Sequence, residues 1–176
     1  PITEYPSLNS DRSTRHSPCH LLMDPLSLPT LPSSASTKVR LRLIQDFIER
    51  FEYNHTGFNF FRISKSQSMV SMLETVQSMI REPLPIKCLE ACAMAMVLTM
   101  SDGLMTRWPL RFRSRVNGLR YWHIVCMVES GERFGALGLS RRPTLGYKPL
   151  VYDSIATRNQ ISLENDFELR QKVVCA

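Results

Sequence analysis

Leu84 to Met100 reads LPIKCLEACAMAMVLTM, and no other stretch limits the fold as much. Pro83 and Pro85 end whatever helix precedes them, because proline lacks the amide donor and crowds the preceding turn. From Cys88 to Met100 nearly every position is apolar or small, so a helix there has no polar side to turn to solvent. Such a helix must lie at the centre of the domain, and its first residue is a cysteine preceded by a lysine.

The rest of the chain has to cover that helix. With 176 residues and 43% hydrophobic content, one core can be built but not two. The longest apolar run, Ala91 to Leu98, is far shorter than the ~20 residues of a membrane span, so a soluble domain is expected. The opening residues show no charged region followed by an apolar one, so no secretory route is expected, and the sequon at Asn54 carries no weight. The 5 cysteines (Cys19, Cys88, Cys92, Cys126, Cys175) are odd in number and form no CxxC pair, which suits reduced thiols in a cytosol. Lys and Arg outnumber Asp and Glu by 22 to 16, for a net charge of +6, which favours an acidic partner. Charge alone leaves nucleic acid, anionic membrane and acidic protein tails all open.

Residues 1–36 are rich in proline and serine and lack apolar periodicity, so they read as a flexible or loosely draped segment, with the folded domain at 37–176. Val39, Leu43, Ile44, Phe47, Ile48 and Phe51 recur at helical spacing, with Ser36 or Thr37 as the N-cap. A polar stretch from Glu52 breaks that pattern at Asn54 and Gly57, and a short strand is expected around Asn59 to Ile63. Met69, Met72, Leu73, Val76, Met79 and Ile80 mark a second amphipathic helix, its methionines read as core packing. Further on the period becomes two. Leu110, Phe112 and Val116 face one way and Arg111, Arg113 and Arg115 the other, up to a turn at Asn117-Gly118. HIVCMV and RFGALGL then flank ESGE as a hairpin of buried strands. The fold class is α+β, with helices first and an antiparallel sheet after them.

If the hairpin turns near Gly131, residues whose numbers sum to about 262 or 263 face each other, which sets His123 beside Leu139 and Ser140. Cys88 starts a helix, where unpaired amides and the macrodipole stabilise a thiolate and supply donors for an oxyanion, and Lys87 adds a cation. A cysteine leading a buried helix, with a histidine on a later strand, is an arrangement of cysteine enzymes. On the residues alone, however, a cysteine in an apolar helix is more often an inert core residue, and a strand histidine more often structural. A metal on Cys88, Cys92 and His123 is not expected, since a fourth ligand and a zinc spacing are lacking.

FEYNHTGFNFF, LPIKCLEA, HIV, RFGALGLSRR and YKP, taken in this order and spacing, resemble the vasohibins, tubulin carboxypeptidases of the transglutaminase-like cysteine protease group. The resemblance runs from about Lys38 to Pro149. It implies a transglutaminase-like or papain-like fold and a Cys-His-Ser triad: Cys88 as nucleophile, His123 as general base and then acid, and Ser140 orienting the imidazole through its main-chain carbonyl. It places Tyr53 by the oxyanion and Lys65, Lys87 and Arg141 along the substrate site. The implied reaction is removal of the C-terminal tyrosine of α-tubulin, with no cofactor and no metal, in the cytoplasm on the cytoskeleton. The implied partners are the acidic α-tubulin tail, microtubules and a small helical vasohibin-binding protein, and neither nucleic acid nor membrane. The Arg111, Arg113 and Arg115 ridge reads either as a microtubule contact or as a solvated strand face.

Three departures from the family pattern stand out. Trp122 precedes the histidine where a basic residue is expected, Ser64 replaces one of a lysine pair, and from about residue 150 the likeness fades into a short C-terminal part. Two other functions keep the same fold: a non-catalytic microtubule-associated module, and an acyl transferase that uses an amine in place of water.

Overall fold

The computed structural model describes residues 25–64, 66–116, 119–153 and 167–168. Three helices come first: α1 (Thr37–Ile48), α2 (Met69–Arg81) and α3 (Cys88–Leu98). They are followed by β1 (Thr106–Val116), β2 (Leu119–Ser130), β3 (Arg133–Leu137), a 3-10 turn (Pro143–Leu145), β4 (Lys148–Tyr152) and the short β5 (Phe167–Glu168). The strands form one antiparallel sheet in the order β4-β3-β2-β1-β5. The α+β reading of the sequence therefore stands, helices first and antiparallel sheet second.

Each helix starts where the sequence places a stop or a cap. The Ser36 hydroxyl accepts from the Val39 amide and caps α1, and Ser68 caps α2 through the Ser71 amide. At α3 the Glu90 carboxylate accepts from the Lys87 amide at 3.2 Å, so an acid in the first turn satisfies the amide just outside the helix. Within α3, Glu90 to Ala95 are buried without interruption, which gives this helix the central place its composition requires.

The sheet is covered on both faces. On one face Cys126, Val128 and Leu137 join Ile44, Ile48, Val76, Met79, Cys92 and Met94 in the main core under the helices. On the other, Leu110, Phe112, Val125, Met127, Ala136 and Leu145 form a second cluster, closed by the 3-10 turn. A strand buried on both faces needs apolar residues at every position, and for this reason β2 reads HIVCMV without alternation. Pro109 fits in β1 because β5 pairs only with Arg113 and Ser114, leaving the outer edge at Pro109 without a ladder partner among the described residues. The β2-β3 register runs from Ser130↔Arg133 to Cys126↔Leu137, a sum of 263, through a two-residue turn in which Gly131 takes φ 58°.

Three expectations change. No strand forms at 59–63. The Asn54 side chain accepts from the Thr56 amide and hydroxyl and donates to the Phe58 carbonyl, folding the segment into a turn-rich loop instead. Val39 and Met69 lie outside the buried stripes at 50% and 51% exposure, since each sits in a first turn that extends past the core. Of the segment expected to be flexible or loosely draped, residues 25–36 lie against the domain: the Leu26 amide donates to the Ile80 carbonyl, and Leu26 and Leu31 pack on the core. Residues 1–24 and most of the part after residue 153 lie outside the described residues. Among the described residues no helix is long and apolar enough to cross a membrane.

Met94 is fully buried in α3, so Met94→Ala should cost about 2–5 kcal/mol of unfolding free energy. Val39→Ala should cost no more than about 0.5 kcal/mol, because the side chain it removes is half in water. Urea denaturation of both variants beside the parent checks the contrast.

Candidate active site

The start of α3 is fixed from two sides. On one, Glu52 to Asn54 runs parallel to Ile86: the Ile86 amide donates to the Glu52 carbonyl at 2.9 Å, the Asn54 amide donates to the Ile86 carbonyl at 2.7 Å, and Tyr53 bridges Ile86. This pairing lays the Tyr53 ring beside the helix start. On the other side, the backbone amide of Ile124 in β2 stands near enough to the Cys88 sulfur to favour its charged form. Ile124 directly follows His123, so the thiol stands at the strand position next to the histidine, just beyond the point where β3 stops pairing with β2.

His123 is buried, stacked on Phe112 with ring centroids 5.5 Å apart, and its Nδ1 lies 3.4 Å from the Ser140 hydroxyl oxygen. That hydroxyl accepts from the Arg142 amide at 3.3 Å. The contact seen to the imidazole is made by the Ser140 hydroxyl, which the loop amide at Arg142 helps to hold facing the ring. Extended past the end of the ladder at Cys126↔Leu137, the hairpin sum of 263 points from residue 123 to residue 140. Arg141 reaches the other flank: its guanidinium lies 5.9 Å from the Tyr53 ring centroid and pulls against the burial that raises the Tyr53 hydroxyl.

Two electrostatic expectations need correction. The Cys88 thiol is held above its ordinary value, first by burial and then by the Glu90 carboxylate, against which the amides of Ile124, Cys88 and Leu89 pull only partly. Lys87 does not offset this, because its ammonium donates to Asn59 Oδ1 at 2.7 Å on the neighbouring loop. His123 moves the opposite way: burial, Arg142 and Arg141 all press its pKa below the ordinary value. Burial thus disfavours the charged form of both groups.

Of the seven site residues expected from the sequence, Cys88, His123, Ser140, Tyr53 and Arg141 come together, Lys87 precedes Cys88 with its ammonium turned to Asn59, and Lys65 lies outside the described residues. Asn59, Glu90, Phe112 and Arg142 escaped sequence reading. Only Glu90 had a local signal, as an acid three residues past a helix boundary. Trp122 is exposed, with the guanidinium of Arg111 4.2 Å and that of Arg113 5.5 Å from its ring centroid, so the strand ridge is an Arg-Trp stack; the side chain of Arg115 lies outside the described residues. Cys92 and Cys126 are buried free thiols, and among the described residues no cluster of His, Cys, Asp or Glu could hold a metal ion.

The family model for vasohibin matches residues 8–171. The chain belongs to the vasohibin family. It is also 39% identical over 130 residues to a mouse protein named tubulinyl-Tyr carboxypeptidase 1. The match covers 74% of this chain and 35% of the mouse protein, so the chain spans about a third of the length of that relative.

Alkylation separates the three described thiols. Iodoacetamide should modify Cys88 well before Cys92 or Cys126, with a rate that keeps climbing above the ordinary thiol pKa of about 8.5. Peptide mapping after timed alkylation at several pH values measures both, and a plateau already reached at neutral pH would contradict the raised thiol.

Proposed function

We propose that this chain carries a thiol carboxypeptidase that removes the C-terminal tyrosine of α-tubulin, built on a transglutaminase-like or papain-like core. The observation that carries the reading is the meeting of Cys88, at the start of a buried helix, with the strand position beside a buried His123 that contacts Ser140. The name of the mouse relative supplies the substrate class. Sequence and relative together support the reaction, and the residue roles that follow are this proposal's own.

His123 is the base. With its Nδ1 proton on the Ser140 hydroxyl, the Nε2 lone pair is free to take the Cys88 proton as sulfur attacks the last peptide carbonyl. Burial works against a resting ion pair, so in this proposal proton transfer accompanies attack. The developing oxyanion faces the first amides of α3 and the Tyr53 hydroxyl. The imidazolium then protonates the departing tyrosine amine, the rest of the chain stays on Cys88 as a thioester, and water activated by the same imidazole releases it.

A carboxypeptidase must also hold a free carboxylate. Arg141, fixed against Tyr53, offers a guanidinium for bidentate binding, with Lys87 and Lys65 as further cations. The basic balance of the chain concentrates an acidic tail near the site. Tubulin and microtubules are the proposed partners, which places the protein on the cytoskeleton in the cytoplasm. The small helical binding protein stays outside the proposal, because the apolar stripe of α1 is already turned into the domain's own core.

Incubation with tubulin, followed by mass spectrometry of the α-tubulin C-terminus, tests the reading. The parent should release tyrosine, while Cys88→Ala should lower release by at least about a thousandfold without loss of fold. Microtubule co-sedimentation without release would make the chain a binding module and sink the proposal. The acid limb of kcat/KM should fall below the ordinary histidine value of about 6.5, because the lowered His123 stays a neutral base to lower pH than usual.

A further inference from the structure

Gln45 is a polar residue within the apolar stripe of α1, 1% exposed, and the proposed chemistry does not use it. Its carboxamide is given to one backbone residue far along the chain. The Gly138 amide donates to Gln45 Oε1 at 3.0 Å, and Gln45 Nε2 donates to the Gly138 carbonyl at 3.0 Å. Nε2 also donates to Glu49 Oε1 at 2.9 Å. Satisfying both the N–H and the C=O of a single residue is what a neighbouring strand does in an antiparallel ladder.

At Gly138 no strand partner is available: in the β2-β3 register its N–H and C=O face the β4 side, where pairing ends at Ala136↔Lys148. The β2-β3 pairing ends at Cys126↔Leu137, and the chain turns away through Gly138 at φ 154°, a conformation L side chains rarely adopt. Two residues later the Ser140 hydroxyl meets His123, and the next residue, Arg141, lies over Tyr53. The loop then returns on the same peptide: a Cβ built on Gly146 would stand 2.9 Å from the Gly138 carbonyl oxygen, so only glycine permits that approach.

We infer that Gln45 is a positioning residue for the site: standing in for the missing strand partner at Gly138, it fixes where Ser140 and Arg141 stand relative to His123 and Tyr53. A carboxamide suits this task because one planar group carries both a donor and an acceptor, whereas a carboxylate only accepts and a thioether does neither to any useful extent. Without it, both backbone groups of Gly138 lose their partners in a buried place, and the loop must shift to find others. The catalytic consequence rests on the proposed thiol reaction, and the geometric one does not.

Gln45→Met keeps length and apolar fit while removing both hydrogen bonds to Gly138, and Gln45→Glu keeps the acceptor but loses the donor. Leu41→Ala, one turn earlier on the same buried stripe, weakens α1 packing without removing either bond and serves as the control. Two readouts are taken at a temperature where circular dichroism shows each variant folded: the NMR titration of the His123 imidazole and kcat/KM for tyrosine release. His123 is held low by burial and by Arg142 and Arg141, so a loop that moves away lets its midpoint rise. Gln45→Met should raise that midpoint by about half a pH unit or more and cut kcat/KM about tenfold or more. Gln45→Glu should fall between Gln45→Met and the parent, and Leu41→Ala should lower Tm while leaving the midpoint in place. Parental midpoints in both Gln45 variants, or an equal shift in Leu41→Ala, would overturn the inference. The titration reads loop position without turnover, so it decides the inference even if the chain releases no tyrosine and the proposed reaction falls.

Discussion

Everything at the site depends on where the first turn of α3 is anchored. That helix is apolar on all sides, so the hydrophobic effect buries it but does not set its height or rotation, since burial is non-directional. Hydrogen bonds at its start supply what packing cannot: Glu52 and Asn54 pair with Ile86, and Glu90 accepts from the Lys87 amide, while the Ile124 amide stands near the Cys88 sulfur. Together they seat Cys88 against β2 beside His123. The same bonds draw Tyr53 to the helix start, so one local anchor sets the Cys88 thiol and its aromatic neighbour together.

The second half of the site is set by a strand that ends early. If β3 continued in register, Ser140 would be one more ladder residue. Instead the chain leaves the sheet at Gly138, and the loop that follows presents the Ser140 hydroxyl to His123 and the Arg141 guanidinium to Tyr53. A helix brings the cysteine, a strand the histidine and the loop after β3 the serine, so the site lies on the seam between the two halves of the α+β fold. Burial on that seam explains the electrostatics: it raises the thiol and lowers the imidazole, because desolvation disfavours the charged form of each.

Much of this was legible in the sequence because the deciding signals are local. Prolines before Cys88 and an unbroken apolar run gave the central helix, Ser36 gave a cap, and the turn at Gly131 gave the register that points from residue 123 to residue 140. What stayed hidden depends on contacts between distant segments. Gln45 looks like an ordinary helix residue until Gly138, 93 residues away, is seen to need a partner. Asn54 reads only as a break in the helical pattern, yet its side chain folds the loop back on itself. The balance of effects on Cys88 was not legible either: the amides at the helix start, visible in the sequence, do favour the thiolate, but burial and Glu90 act against them.

The central claim is that Cys88 is a nucleophile held ready beside His123. The most direct measurement is acid quenching during turnover of a peptide ending in tyrosine, followed by mass mapping of the protein. The account expects a thioester on the peptide containing Cys88, heavier by the substrate less its terminal tyrosine and absent in Cys88→Ala. Tyrosine release at full rate with no adduct on Cys88, or in the Cys88→Ala variant, would contradict it.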